Sequence, residues 1–328
     1  MNSAPLSPGG QVRYREYKKL FEAKAAASGL PVEEHCLTQV GSGVLEYYAD
    51  IIAASEVALM RLRSTTLSVG VTVLDPSYTC FIFPIRWGGE YRINGELVNS
   101  SAFFLPSSLN AFDQRSDGRD MLAIILNRGQ FVETVAALRG IGPEDVTVRE
   151  GAQTMAAESL AKVRRRLNAV LENYRREDSR RTCAVSAEEL GKQVIEMATD
   201  AYLFSASESE AKNHGFLQSQ RIVRKAEERF EAAEDGRISL ADLCAAAGVS
   251  KSSLYKAFDS VCGEPPISYF YKRRMMKSRL ILIESPYERG TIKRAALGAG
   301  FTELGRFSVE YRRMFGESPS VTLTKSSL

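Results

Sequence analysis

The chain of 328 residues has two histidines, one tryptophan and five cysteines, and this scarcity removes several chemistries at once. Cys36, Cys80, Cys183, Cys244 and Cys262 are odd in number, scattered, and nowhere spaced as CxxC, which argues against a disulfide framework or a zinc site. His35 and His214 are far apart, and the adjacent pair His35-Cys36 is not a spacing that presents two ligands together. No metal and no cofactor is therefore expected. Neither a Ser/His/Asp constellation nor a Gly-rich phosphate loop is present. No apolar run approaches the ~20 residues needed to cross a bilayer. The start, Met1–Gln11, lacks a charged segment followed by an apolar one, so a soluble cytoplasmic protein with no membrane partner is expected.

What is present is one unit written twice. Ala247-Gly248-Val249-Ser250 is followed by Leu254, Phe258, Gly263 and Pro266; Ala299-Gly300-Phe301-Thr302 is followed by Phe307, Tyr311, Gly316 and Pro319. Each copy has a Gly-apolar-hydroxyl turn and a short helix ending in an aromatic residue, then five residues to a Gly and three more to a Pro. A duplicated helix-turn-helix is a way of placing two short helices against DNA. Charge coincides with the repeat. From Ile238 to Leu328 there are 14 Lys and Arg against 8 Asp and Glu, whereas residues 1–237 hold 29 against 32. The basic half is the repeated half, as a polyanion partner requires.

Along the chain, Tyr14–Ala27 shows an amphipathic helical pattern, and short apolar segments from Val44 to about Leu126, divided by Asp75-Pro76, Gly88-Gly89, Asn94-Gly95, Pro106 and Asp117-Gly118, predict strands of a small barrel or sandwich. Asn94-Gly95 predicts a hairpin. Helices are predicted over Gly129–Arg139, Gly151–Tyr174 and from a Ser186 cap to Phe204, the last two being candidate dimer contacts. Polar residues 206–215 predict a linker between residues 1–205 and 216–328. Beyond it, Leu217–Ala233 opens the basic half. Ser239 caps a first helix, Ser250 caps Lys251–Phe258, a connecting helix runs from Pro266 to about Ile283, Thr291 caps Ile292–Ala299, and Glu303–Phe315 is the second reading helix. Leu254, Ala257, Phe258, Phe307 and Tyr311 are expected inside. Ser252, Ser253, Tyr255 and Lys256, then Leu304, Gly305, Arg306 and Val309, are expected outside, with Arg312 and Arg313 placed for phosphates.

These residues resemble the AraC/XylS family of bacterial transcription regulators over Ile238–Thr324, most specifically through Gly300-Phe301, Gly305-Arg306-Phe307, Tyr311-Arg312 and Phe315-Gly316-Glu317-Ser318-Pro319-Ser320. The resemblance implies an α+β chain: an N-terminal effector-sensing and dimerisation domain built on a small, cupin-like β-barrel with flanking helices, and an all-α double helix-turn-helix domain. It implies a non-enzymatic regulator, an activator, with promoter DNA, RNA polymerase, a second copy of the chain and a small-molecule effector as partners. It also implies base contacts from Ser252, Tyr255, Lys256, Gly305, Arg306 and Val309. For the effector, arginines at strand ends and turns, Arg61, Arg63, Arg86, Arg92, Arg115 and Arg119, suit an anion. Arg115-Ser-Asp-Gly-Arg119 has the RxxxR spacing of PilZ-type cyclic-di-GMP receptors, and Asp75-Pro-Ser77 is similar to half of their second motif, with Cys80 where a Gly is expected. A protein partner in place of a small molecule, and a cupin-type enzyme fused to a DNA-binding domain, are the alternatives.

Overall fold

The computed structural model describes residues 13–17, 30–54, 56–106, 111–180, 187–207, 213–233 and 238–326. They form two compact units: Met1–Cys36 with Glu46–Ser64 and Val71–Ala211, and Leu37–Leu45 with Thr65–Gly70 and Lys212–Leu328.

The first unit is built on a ten-stranded antiparallel sheet: β1 (Arg13–Tyr17), β2 (Val32–Gln39), β3 (Tyr47–Ala54), β4 (Val57–Leu74), β5 (Tyr78–Ile93), β6 (Glu96–Leu97), β7 (Ala102–Leu105), β8 (Ala111–Asn127), β9 (Gly151–Thr154) and β10 (Ala206–Ser207). Three helices accompany it: α1 (Arg128–Arg139), α2 (Ala157–Arg180) and α3 (Ala187–Leu203). The order β1-β3-β4-β8-β5-β7-β9-β10 ends in two edge strands that each pair with one neighbour, so the sheet is open. This corrects the expectation of a closed barrel. Side chains alternate between faces along a strand, and here both faces are covered. Ile52, Leu59, Phe81, Phe83, Leu122, Ile124 and Leu126 pack with Phe131 of α1, Leu160, Leu167 and Leu171 of α2, and Leu190, Val194 and Tyr202 of α3. The alternate residues Ile51, Met60, Cys80, Ile82, Met121, Ala123 and Ile125 line a cavity on the other face. Double burial explains why these strands are near-continuous apolar runs rather than alternating ones. It also explains why the apolar stripes of α2 and α3 are spent inside the unit.

Asn94 (φ 51°) and Gly95 (φ 75°) turn β5 into β6 with two left-handed residues, as predicted. Other local expectations are corrected. Residues 13–17 pair with β3 as a strand where a helix was expected, and 18–29 lie outside the described residues. Gly151–Thr154 is a strand on β7, and the helix expected from Gly151 starts at Ala157. Of the expected linker, Ala206–Ser207 pairs with β9, Asn213 begins a helix, and 208–212, like the Ser186 cap, lie outside the described residues.

The second unit holds α4 (Asn213–Glu231), α5 (Leu240–Ala247), α6 (Lys251–Cys262), α7 (Pro266–Glu284), α8 (Thr291–Gly298), α9 (Leu304–Phe315) and α10 (Pro319–Ser326). Ile222, Val223, Ala226 and Phe230 of α4 pack with Leu243, Leu254, Phe258, Tyr269 and Phe270, and with Val40 and Val69 from the two short stretches 37–45 and 65–70. The stretch 37–45 is tied in by Lys272 Nζ donating to Val40 O (2.5 Å) and Gly43 N donating to Met314 O (2.9 Å), and it holds the other stretch through Val40 N and Gly41 N, which both donate to Leu67 O (2.9 Å). Glu317 organises the end of the unit. Its carboxylate accepts from Arg279 (2.9 Å), Thr322 (2.8 Å) and Lys325 (2.7 Å). Burial works to raise the Glu317 pKa, but the hydrogen bonds from Lys325, Thr322 and Arg279 outweigh it and hold the carboxyl below its ordinary 4.5.

A carboxyl with a depressed folded-state pKa stabilises above its unfolded value and loses that contribution as pH falls through the folded one. Glu317→Gln is therefore expected to cost about 1–3 kcal/mol at pH 7. Urea denaturation should show the gap to the parent chain closing as pH falls below about 4.5.

Candidate nucleic-acid interface

The two repeated units share a frame. In the first, Ser239 and Asp242 form a capping box on α5: Asp242 N donates to Ser239 Oγ (3.1 Å) and Ser239 N to Asp242 Oδ2 (2.9 Å). Gly248 ends α5 in the left-handed region (φ 66°), and Ser250 Oγ accepts from Ser253 N (3.3 Å) to start α6. In the second, Gly300 (φ 78°) takes the turn and Phe301 N donates to Ala296 O (2.9 Å). Here the caps differ from expectation. Thr291 is the first residue of α8 and buried, behind Gly290 (φ 89°), because its hydroxyl donates back to Pro286 O (3.4 Å). Helix α9 begins after Glu303 with no side-chain cap. Both reading helices span 12 residues and end on a left-handed glycine, Gly263 (φ 67°) and Gly316 (φ 72°). Those conformations are why Gly stands at the same offset in each copy.

The inward residues are as expected: Leu254, Ala257 and Phe258 in α6, and Phe307 and Tyr311 in α9, are at most 1% exposed. Ser252 and Lys256 are exposed, with Ser253 and Tyr255 half-buried, and in α9 Leu304, Gly305, Arg306, Val309, Arg312 and Arg313 are exposed. The basic residues of α7 behave differently. Lys272 pairs with Glu264, Arg273 with Glu231, and Arg279 with Glu317, while Arg274 lies over Phe301 (5.0 Å). These four cations of the connecting helix are spent inside the fold. On the reading helices positive charge faces solvent, in reach of a polyanion.

A family model described as a helix-turn-helix domain matches residues 243–325. The "XylDLEGF operon transcriptional activator 2" of Pseudomonas putida is 33% identical over 126 residues, 37% of this chain and 78% of that protein. The chain belongs to the AraC/XylS family of DNA-binding transcription regulators. A second relative from the same organism, the "XylDLEGF operon transcriptional activator", is 36% identical over 104 residues, which are 32% of this chain and only 31% of that relative. A solved structure, a probable AraC family transcriptional regulator from Rhodopseudomonas palustris CGA009, is 34% identical over 33% of this chain and 98% of its own, with a TM-score of 0.29.

In the first unit of this AraC/XylS-family chain, the arginines singled out as anion ligands mostly have other work. Arg61 forks onto Asp120 (2.9 and 2.7 Å) and reaches Asn168 (2.9 Å). Arg63 holds Asp50 (3.1 Å) and lies over Tyr48 (5.4 Å). Arg92 holds Glu90 (3.1 Å) and Gly95 O (3.0 Å), and Arg86 is exposed. The RxxxR pair is split by the backbone. Along β8 the cavity is lined by Phe112 and Gln114, then by Arg119, Met121, Ala123 and Ile125, so the facing parity changes between 114 and 119. Gly118 (φ 67°) is the extra residue: Trp87 opposes Arg119 while Gly88 opposes Asp117. Arg115 therefore points away from the cavity that Arg119 lines, and the spacing does not assemble a two-arginine clamp.

Leu30, Val32, Leu62, Leu74 and the residues above line a cavity that opens to solvent, with Arg119, His35, Thr72, Tyr47 and Gln114 as its polar groups. No sequence pattern marked His35, Tyr47, Thr72 or Gln114, because their only connection is the face they share. His35 Nδ1 meets Thr72 Oγ1 (3.0 Å), and its Nε2 is buried without a hydrogen-bond partner among the described residues. Burial, and then the Arg119 guanidinium, lower the His35 pKa to about 4. Burial also pushes the Cys80 thiol and the Tyr47 hydroxyl each up to about 12, so both stay protonated at neutral pH. Among the described residues no three His, Cys, Asp or Glu side chains gather as a metal site, and no helix is long and apolar enough to cross a membrane.

A histidine whose folded pKa lies below its unfolded value of 6.5 destabilises as pH falls, because the unfolded chain takes up a proton that the folded one refuses. Thermal melts between pH 7 and pH 4 should show stability declining through that window, and His35→Gln should flatten the decline.

Proposed function

We propose that this chain is a sequence-specific DNA-binding transcription activator whose DNA affinity responds to a small effector held in the cavity of the first unit. One observation supports the DNA reading most: two helix-turn-helix frames of like geometry bury their apolar residues and leave Ser252, Lys256, Arg306, Arg312 and Arg313 in solvent. Lys256 and Arg306 sit within the first six residues of their helices and serve as base readers, with Ser252 and Tyr255 beside Lys256. Arg312 and Arg313, in the last turn of α9, serve as phosphate contacts. The cavity favours a small ligand with an apolar body and one hydrogen-bonding or anionic group, because its walls are apolar, its one charged group is Arg119, and no carboxylate lines it.

A selection from random duplexes with the full chain tests the reading. Binding that falls steeply with salt and converges on one motif is expected. Lys256→Ala and Arg306→Ala should each weaken binding by about 1–3 kcal/mol and relax preference at different positions of the motif. Arg312→Ala and Arg313→Ala should weaken all sequences alike. Failure to retain any duplex overturns the proposal. Calorimetry with small aromatic and aliphatic carboxylates, and with cyclic-di-GMP as the two-arginine comparator, should be run with and without the selected duplex. An effector that changes DNA affinity must itself bind with altered affinity when DNA is present. Arg119→Ala should abolish its binding, and an effector indifferent to Arg119 would place the site elsewhere.

A further inference from the structure

Val309 is 67% exposed on a helix whose other large apolar residues beyond the first turn, Phe307, Tyr311, Met314 and Phe315, are buried. On a helix surface the neighbours of a residue lie three and four positions away. For Val309 these are Gly305, Arg306, Arg312 and Arg313, all exposed. An apolar side chain flanked along its helix by three exposed arginines, of which Arg313 pairs with Glu310 (3.7 Å), is a poor seat for an apolar protein surface or for lipid, because covering it would strip water from these charges. A polyanion that carries an apolar group among its charges suits both features. Duplex DNA is such a molecule: phosphates meet Arg312 and Arg313, base edges meet Arg306, and the C5-methyl of thymine is the apolar group that base edges present in the major groove.

Gly305 points the same way. Its backbone is not in the left-handed region, and a Cβ built there would meet nothing within 4 Å, so nothing inside the protein calls for glycine. Glycine within a helix is destabilising relative to alanine. Its bare backbone, one turn before Val309, lets an outside surface come closer to that side chain.

We propose that Val309 is a base-reading residue that packs on a thymine methyl, with Gly305 opening the approach. The two reading helices then use different chemistry. Ser252, Tyr255 and Lys256 of α6 offer hydrogen bonds to base edges, whereas α9 offers one apolar contact set beside Arg306. This rests on the DNA-binding reading above and adds to it the group that is recognised.

The test uses the full chain and its selected duplex, in which each thymine is replaced singly by deoxyuridine, a change that removes only the methyl. One or two replacements should weaken the parent chain about three- to fivefold, the worth of one buried methyl group. Those same replacements should leave Val309→Ala unaffected. Because Val309 is exposed, the variant keeps its fold, which a thermal melt checks. Gly305→Ala should raise the melting temperature while weakening every duplex. A selected site with no Val309-dependent methyl effect overturns the inference alone. A chain that selects no duplex overturns the DNA-binding reading, and this inference with it.

Discussion

Three consecutive residues of α7, Tyr269, Phe270 and Tyr271, reach into both reading units. Tyr269 and Phe270 meet Phe258 of α6, each with ring centroids at 5.5 Å, and Phe270 stacks on Phe230 at 5.0 Å. Tyr271 meets Phe301 at 5.6 Å, and from there a chain of rings runs through Phe307 and Tyr311 to Phe315. Helices of 8 and 12 residues are too short to hold themselves in water. Their existence and their aim both depend on this aromatic spine. Aromatic packing contributes through buried area and through ring geometry together, so one helix can set the two readers in a fixed relation.

The second organising feature is where charge is spent. Lys272, Arg273 and Arg279 of α7 neutralise Glu264, Glu231 and Glu317, and Arg274 covers the Phe301 ring, so these four cations help hold the spine together. Those of α6 and α9 face solvent beside small or hydrogen-bonding residues. A net basic balance over the last ninety residues thus conceals two populations: one paired within the fold and one facing solvent. Only the second bears on a polyanion. In the first unit Arg61, Arg63 and Arg92 hold carboxylates, and Arg119, buried and donating to Ser116 Oγ (3.1 Å), lines the cavity.

How much of this was legible in the sequence depended on range. The helical half was read nearly residue by residue, since left-handed glycines, hydroxyl caps and i, i+3, i+4 apolar positions are local signals that tertiary contacts reinforce here. The departures there are two caps, Thr291, whose hydroxyl turns back to Pro286, and the start of α9, and two helix bounds: α4 begins at Asn213 within the stretch read as linker, and α6 runs past Phe258 to Cys262. The sheet half was read only in outline. Strands covered on both faces lose the alternation that marks them, so the apolar segments between Val44 and Leu126 show no clear strand bounds, and the strand Gly151–Thr154 is hidden in a helical pattern that continues to Tyr174. Closure of the sheet has no local signature at all. The RxxxR spacing misleads for a specific reason. One left-handed glycine, Gly118, shifts the register of β8 and puts Arg115 and Arg119 on opposite faces, which spacing alone could not show. The cavity residues His35, Tyr47, Thr72 and Gln114 come from different strands and meet only because the sheet assembles them.

The central claim is that one rigid spine presents two readers to one duplex. Methylation protection of guanine N7 in the complex of the full chain with its selected DNA tests it most directly, since N7 lies on the major-groove edge that a reading helix covers. The account predicts two separate protected tracts, one assigned to α6 and one to α9 by loss of protection in Lys256→Ala and Arg306→Ala respectively. A single tract that responds to both variants, or protection that responds to neither, would contradict it.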